Sequence, residues 1–313
     1  MATYLITGGA GFIGSNIAQT LVSRGEKVRI LDNFATGRLE NLSRFRDNVE
    51  LIEGDIRDLN TVREAVKDVD FVLHQAALPS VARSVQDPLT SNETNVTGTL
   101  NLLIACRDAK VRRFVMASSS SVYGDTPKLP KSEDMPLTPM SPYATSKLAA
   151  ERYALNFYSL YGLETVALRY FNVFGPHQDP KSQYAAVIPK FITAMLRGES
   201  PVVYGDGEQS RDFTFISNVV EANLLACTSE RAPGHAMNIA CGGRYTLNQL
   251  LSMLEHIIGC KANATYTDPR PGDIKHSHAS IELARNVLGY EPKIGFEEGL
   301  RRTVGWYKEL FKL

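Results

Sequence analysis

Through its first 170 residues the chain alternates short apolar, β-branched runs with helical patterns. The runs are TYLIT, KVRILD, VELIEGD, DFVLHQAA, RRFVMASS and ETVALRY. Strands joined by helices pair in parallel, and a parallel sheet must be covered on both faces. The pattern therefore predicts an α/β chain with a Rossmann-type doubly wound parallel sheet. From Phe171 onward it loosens into Pro/Gly-bearing loops, short strands and the helical stretches VIPKFITAMLRG, TLNQLLSMLEHIIG and FEEGLRRTVGWYKEL. These predict a smaller α/β lobe intertwined with the sheet. Residues 1–171 and 213–240 are expected in the sheet domain, 172–212 and 241–313 in the lobe.

Composition narrows the partners. Of the 313 residues 43% are hydrophobic and 22% charged, which suits a globular protein with a sizeable core. Lys+Arg and Asp+Glu are both 34, so no global field recruits nucleic acid or an anionic membrane, and an anionic ligand must be held locally. No apolar run is long enough to span a bilayer. Cys106, Cys227, Cys241 and Cys260 show no C-x-x-C spacing, and the first residues enter a strand directly. A reducing, cytoplasmic setting is expected. His276 and His278 form the one close histidine pair and match none of the common zinc patterns, so no metal is expected.

After the first predicted strand comes TGGAGFIG. It can be read as G-x-G-x-x-G through Gly9, Gly11 and Gly14, or as G-x-x-G-x-x-G through Gly8, Gly11 and Gly14. Glycines there let the backbone turn tightly and approach a pyrophosphate, while the following helix offers amide donors. Asp32 ends the second strand in RILDN. A carboxylate so placed accepts from ribose hydroxyls and repels a 2′-phosphate, which favours NAD over NADP. Further strand ends supply Asp55 and Ile56 in GDIRD, and Gln75, Ala76 and Ala77 in HQAAL. The small residues would let a flat cofactor lie against the sheet edge, and Asp55 could meet an adenine amino group.

Two other stretches carry reactive side chains. MASSSSVYG places four serines, Ser118 to Ser121, where open α/β sheets bind ligands. In SPYATSK, Tyr143 and Lys147 are four apart on a predicted helix, so an ammonium beside the phenol would favour its ionised form. Taken alone, Y-x-x-x-K is better read as a solvated lysine beside a packing tyrosine, since both residues are common on half-buried helices.

In order and approximate spacing, TGGAGFIG, Asp32, GDIRD, HQAA, the serine run with VYG, SPYATSK and LRYFNVFGP resemble the extended short-chain dehydrogenase/reductases that modify nucleotide sugars. The resemblance covers essentially the whole chain. It implies a catalytic trio of Ser119, Tyr143 and Lys147. For NAD it implies contacts from Gly8, Gly11, Phe12, Ile13, Gly14, Asp32, Asn33, Asp55, Ile56, Gln75, Ala76, Ala77, Asn95 and Phe171, together with Tyr143 and Lys147. For substrate it implies Ser80, Ser119, Ser120, Tyr143, Asn172, Ala186, Val187, Tyr204, Arg211, Arg270, Asp273 and Ser277. The arginines in GEQSRDF and DPRPGD would clamp a pyrophosphate.

Departures within that superfamily are informative. The 4,6-dehydratases carry an Asp-Glu pair just before VYG and the decarboxylases a Glu, whereas this chain has Ser120 and Ser121. The resemblance is thus to UDP-hexose 4-epimerases. QDPKSQYAAVIPKF, AALPSVARS and DIKHSHA point especially to the UDP-N-acetylglucosamine 4-epimerase branch. Ser277 stands where epimerases restricted to non-acetylated sugars tend to carry a tyrosine. The implied reaction is reversible C4 epimerisation through a 4-keto sugar, on UDP-GlcNAc/UDP-GalNAc and also UDP-Glc/UDP-Gal. The alternatives are a UDP-glucuronate 4-epimerase, a dehydratase or decarboxylase, and a non-catalytic NAD-binding regulator. A homodimer is expected, paired through the helix after SPYATSK and the one containing TNVTGTLNLLIACRD.

Overall fold

A computed structural model of the chain describes residues 1–180, 186–269 and 275–312. The first part contains β1 (Thr3–Thr7), α1 (Phe12–Ser23), β2 (Lys27–Asp32), β3 (Val49–Glu53), α2 (Leu59–Ala65), β4 (Phe71–His74), α3 (Val81–Gln86), α4 (Pro88–Asn92), α5 (Gly98–Asp108), β5 (Arg113–Ser119), α6 (Pro142–Tyr161) and β6 (Glu164–Tyr170). It is followed by β7 (Val173–Phe174), α7 (Val187–Leu196), β8 (Val202–Tyr204), β9 (Ser210–Arg211), β10 (Thr214–Phe215), α8 (Ile216–Thr228), β11 (His235–Ile239), β12 (Tyr245–Thr246), α9 (Leu247–Ile258), β13 (Thr265–Thr267), α10 (Glu282–Leu288) and α11 (Phe296–Phe311). All six predicted strands are present.

The central sheet runs β3-β2-β1-β4-β5-β6-β11, with every neighbouring pair parallel. The seventh strand, β11, had no counterpart among the predicted runs. The order reverses between β1 and β4, and open sheets leave a crevice at the carboxyl ends of the strands there. Both faces are covered. One apolar cluster lies against α2, α5 and α6, and the other continues past α1 and α8 into the lobe. That continuation is aromatic, with Phe213 stacked on Phe296 at 4.9 Å and Phe174 edge-on to Phe296 at 5.5 Å. Helix α10 packs back on β11 and α8, so part of the segment after residue 240 returns to the sheet. Among the described residues no helix is long and apolar enough to cross a membrane.

Helix α6 matters most for the site. The Ser141 side chain accepts from the Ala144 N–H, Pro142 occupies the first turn, and Gly162 ends the helix in the left-handed region at φ 71°. Each is a residue type suited to its position. The buried stripe of α6 is Ala144, Ser146, Lys147, Ala150, Glu151, Ala154 and Phe157. A lysine and a glutamate on a buried face require partners.

Candidate active site

A cleft of about 480 Å³ opens at the sheet's switch point. Gly8, Gly11, Phe12, Ile13 and Gly14 line it, whereas Gly9 does not. A Cβ on Gly9 would sit 2.5 Å from the Ile30 side chain, so that glycine serves packing behind the loop. Gly8 has φ +69°, and a Cβ there would lie 2.7 Å from the Ala76 N. On Gly14 it would lie 2.2 Å from the Gly8 carbonyl oxygen. The glycine spacing that faces the cleft is therefore G-x-x-G-x-x-G. No side chain caps α1, leaving the amides of its first turn to an external acceptor.

Asp32 is buried at the end of β2 on the cleft wall. Its oxygens accept from the N–H groups of Ala10 at 2.9 Å and Phe34 at 2.8 Å. Burial pushes its pKa up and the two amides oppose that shift. The aimed carboxylate, uncapped helix end and glycine cradle together fit a dinucleotide. Asn33, Ile56, Gln75, Ala76 and Ala77 also line the cleft.

Three residues expected at the cofactor are not on the cleft lining. The Asp55 carboxylate is occupied by Arg57 and Asn33, with Arg57 first in holding its pKa down to about 2. Asn95 is buried and clasps Leu78, accepting from its N–H at 2.8 Å and donating to its carbonyl. It thereby shapes the loop carrying Leu78 and Pro79, which do line the cleft. Phe171 is in the core, and the cleft receives its neighbours Tyr170 and Asn172.

Ser119, Tyr143 and Lys147 all line the cleft. The backbone N–H of Tyr143 donates to Ser84 Oγ at 2.9 Å, tying the start of α6 to α3. Ser119 Oγ accepts from Ser121 N at 3.2 Å and Ser121 Oγ at 2.9 Å. Lys147 Nζ donates to the Ala117 carbonyl at 2.7 Å, and burial lowers its pKa to about 8. Burial raises Tyr143 above its ordinary value, and the opposing influence is the Ser119 hydrogen bond.

Beyond the trio, Asn172 leads into the lobe. Its backbone is left-handed at φ 36°, and its Nδ2 reaches the Asp212 carbonyl at 3.0 Å and Ser277 Oγ at 3.3 Å. Arg211 donates to the carbonyls of Ser210 and Lys275. Ser80 caps α3 at φ 96°, Ser120 lies in the turn after β5, Ala186 and Val187 begin α7, and Tyr204 is exposed on β8. None of these five, nor Arg211 or Ser277, is on the lining. Arg270 and Asp273 lie outside the described residues. Sequence reasoning missed Thr90 and Thr94 on the lining, which no motif spacing marks.

The chain matches the model of the NAD dependent epimerase/dehydratase family over residues 4–240. It is 37% identical over 308 residues to the UDP-glucose 4-epimerase of Mycolicibacterium smegmatis, covering 97% of this chain and 98% of that one. Its structure resembles the UDP-N-acetylglucosamine 4-epimerase from Methanobrevibacter ruminantium, solved with UDP-N-acetylmuramic acid. The TM-score is 0.94 at 44% identity, with 99% of each chain covered. It also resembles the Thermus thermophilus UDP-glucose 4-epimerase in complex with NAD, with TM-score 0.89, 38% identity and coverage of 98% and 99%.

Proposed function

Because the chain belongs to the NAD dependent epimerase/dehydratase family, we propose that it is a reversible UDP-hexose 4-epimerase, acting foremost on UDP-GlcNAc and UDP-GalNAc and also on UDP-Glc and UDP-Gal. The carrying observation is the acid content of the cleft. Among the described lining residues Asp32 is the only carboxylate, and it stands on the glycine-loop side, away from the trio. Elimination or decarboxylation would need an acid beside the sugar, whereas oxidation and reduction at one carbon need a single proton carrier.

Tyr143 is assigned that role. It takes the proton from the sugar O4 and later returns it, with Ser119 donating to the oxygen that carries the developing charge. Lys147, tied to β5, adds positive charge beneath the site. Bound NAD supplies the hydride acceptor and donor at C4, and its oxidised ring adds the positive charge that helps offset the burial of the phenol. Asp32 and the glycine loop hold the adenosine and pyrophosphate. Residues 172–212 and 241–313, apart from the α10 segment that packs on the sheet, are assigned to the UDP-sugar lobe, with Arg211, Arg270 and Asp273 gripping UDP. That grip lets the 4-keto hexose swing and expose its other face.

The small Ser277 beside Asn172 supports an acetamido substrate. A homodimer is proposed through α5 and α6, supported by Tyr153, Leu160 and Tyr161 exposed on α6. Incubation with a panel of UDP-sugars, uronates included, and separation of epimers tests the assignment. Deuterium at C4 should stay in the product. Turnover of UDP-glucuronate alone, or loss of label to solvent, would overturn it.

A further inference from the structure

Two successive residues at the end of β5 take partners on one face of α6. The Ala117 carbonyl receives Lys147 Nζ at 2.7 Å and Ser118 Oγ donates to Glu151 Oε2 at 2.7 Å, while Ser119, the next residue, lines the cleft with Tyr143. Tyr143, Lys147 and Glu151 follow one another at intervals of four, so they share a helical face. Tyr143 and Lys147 belong to the proposed chemistry. Glu151 has no place in it.

Glu151 is 0% exposed and Arg169 3%. Arg169 grips the carboxylate with both arms, Nε to Oε2 at 2.9 Å and an Nη to Oε1 at 2.7 Å. It stands opposite Ser118 in the β5–β6 register. Its other Nη donates to Tyr123 Oη at 2.7 Å, and Tyr123 donates to Asn238 Oδ1 at 2.8 Å. Asn238 Nδ2 in turn reaches the carbonyls of Lys131 at 3.0 Å and Ser280 at 3.2 Å. A buried ion pair is weak evidence for stability, since apolar residues of similar volume do as well. A two-pronged bond differs from apolar contact in being directional. It fixes the rotation and height of α6 against β5, where a sliding apolar face would not. A displacement of about 1 Å from reacting geometry can cost about 10²-fold in rate.

We propose that Glu151 and Arg169 are positioning residues, which hold Lys147 and Tyr143 in register with Ser119. This rests on the reading of Tyr143 as the base. Glu151→Gln strands the Arg169 charge and tests folding as much as position, so two other variants decide. In the charge-neutral pair Glu151→Leu/Arg169→Met, unfolding temperature and bound NAD should match wild type, and KM should stay within about threefold, while kcat falls about tenfold or more. The rising limb of kcat against pH should move to higher pH, because a phenol displaced from its place beside the end of β5 loses the Ser119 influence that opposes its burial. Glu151→Asp keeps the charge and shortens the arm, and it should show the same kcat loss and shift. If the double variant does not fold, Glu151→Asp decides alone. Wild-type kcat and pH limb in either folded variant would overturn the proposal, as would a raised KM or lost NAD with kcat intact. Tyr143→Phe still turning over would instead sink the reading beneath it.

Discussion

The two sides of the cleft are built by different means. On the sheet side every group is held by deep, short-range contact. Gly8 and Gly14 leave no room for a methyl group, Asp32 is fixed by two amides, and α6 is tied to two successive residues of β5. On the lobe side Asn172 is followed by the two-residue strand β7, while β9, β10 and β12 are equally short. Ser277 is held there by its N–H to the Ser210 carbonyl and a 3.3 Å contact from Asn172. A 4-epimerase needs this contrast. Proton and hydride positions are the same in both halves of the cycle, but the hexose must present two faces.

The sharpest way to break the comparison is at the rigid side. Tyr143→Phe removes one hydroxyl from a well-held helix, so the fold and bound NAD should persist. Positioned acid–base groups contribute about 10² to 10⁴-fold, or about 3 to 5 kcal/mol of barrier. Single-turnover assays on UDP-GlcNAc should show that loss. Turnover at the wild-type rate would remove Tyr143 from the chemistry.

Next comes Lys147. Its folded pKa is about 8 against an ordinary 10.5, so between those values the native protein binds fewer protons than the unfolded chain. Stability then rises with pH through that window and is lowest below it, where a charged ammonium is buried. At about 1.4 kcal/mol per unit the effect amounts to a few kcal/mol. Thermal unfolding of NAD-free protein from pH 7.5 to 10.5 should show this slope, and Lys147→Met should remove it. Equal slopes in both proteins would mean that Lys147 is less buried than its bond to Ala117 indicates.

The same contrast explains what could be read from the sequence. Strand runs, the glycine loop, Asp32 and the (i, i+4) pair are local spacings, and local spacing survives folding. Choosing between Gly8 and Gly9 required Ile30 on the next strand. Phe171 is buried while its neighbours Tyr170 and Asn172 line the cleft, since one residue at a strand end exchanges cleft for core. Asn95 was assigned to the cofactor, but its amide is committed to Leu78. Glu151 reads as an ordinary helical glutamate until β6 brings Arg169 to it. Strand β11 was missed because HAMNI is short and begins with a histidine.

Gly14→Ala tests the rigid side more gently. A methyl group would sit 2.2 Å from the Gly8 carbonyl, so the loop or α1 must move. Overpacking of this kind costs about 1 to 3 kcal/mol. The purified variant should retain less NAD and melt lower. Full NAD content would show that the loop yields more than its contacts suggest.

The smallest expected effect lies across the cleft and is one of discrimination. Ser277→Tyr places a ring beside Asn172, which already contacts Ser277 Oγ and the Asp212 carbonyl. Asp212 is fully buried, accepts from the N–H groups of Cys241, Gly242 and Ala279, and anchors the segment that carries Ser277. The ring therefore has to turn toward the sugar. There it meets an acetamido group before it meets a hydroxyl, and one misfitted substituent in a pocket is worth about 1 to 3 kcal/mol. The ratio of kcat/KM for UDP-GlcNAc over UDP-Glc should fall about 10-fold or more, with little change for UDP-Glc. If both substrates lose equally, the ring has displaced Asn172 and this wall is as rigid as the sheet side. If neither changes, the lobe has moved aside, and the acetamido preference must come from other residues of the lobe.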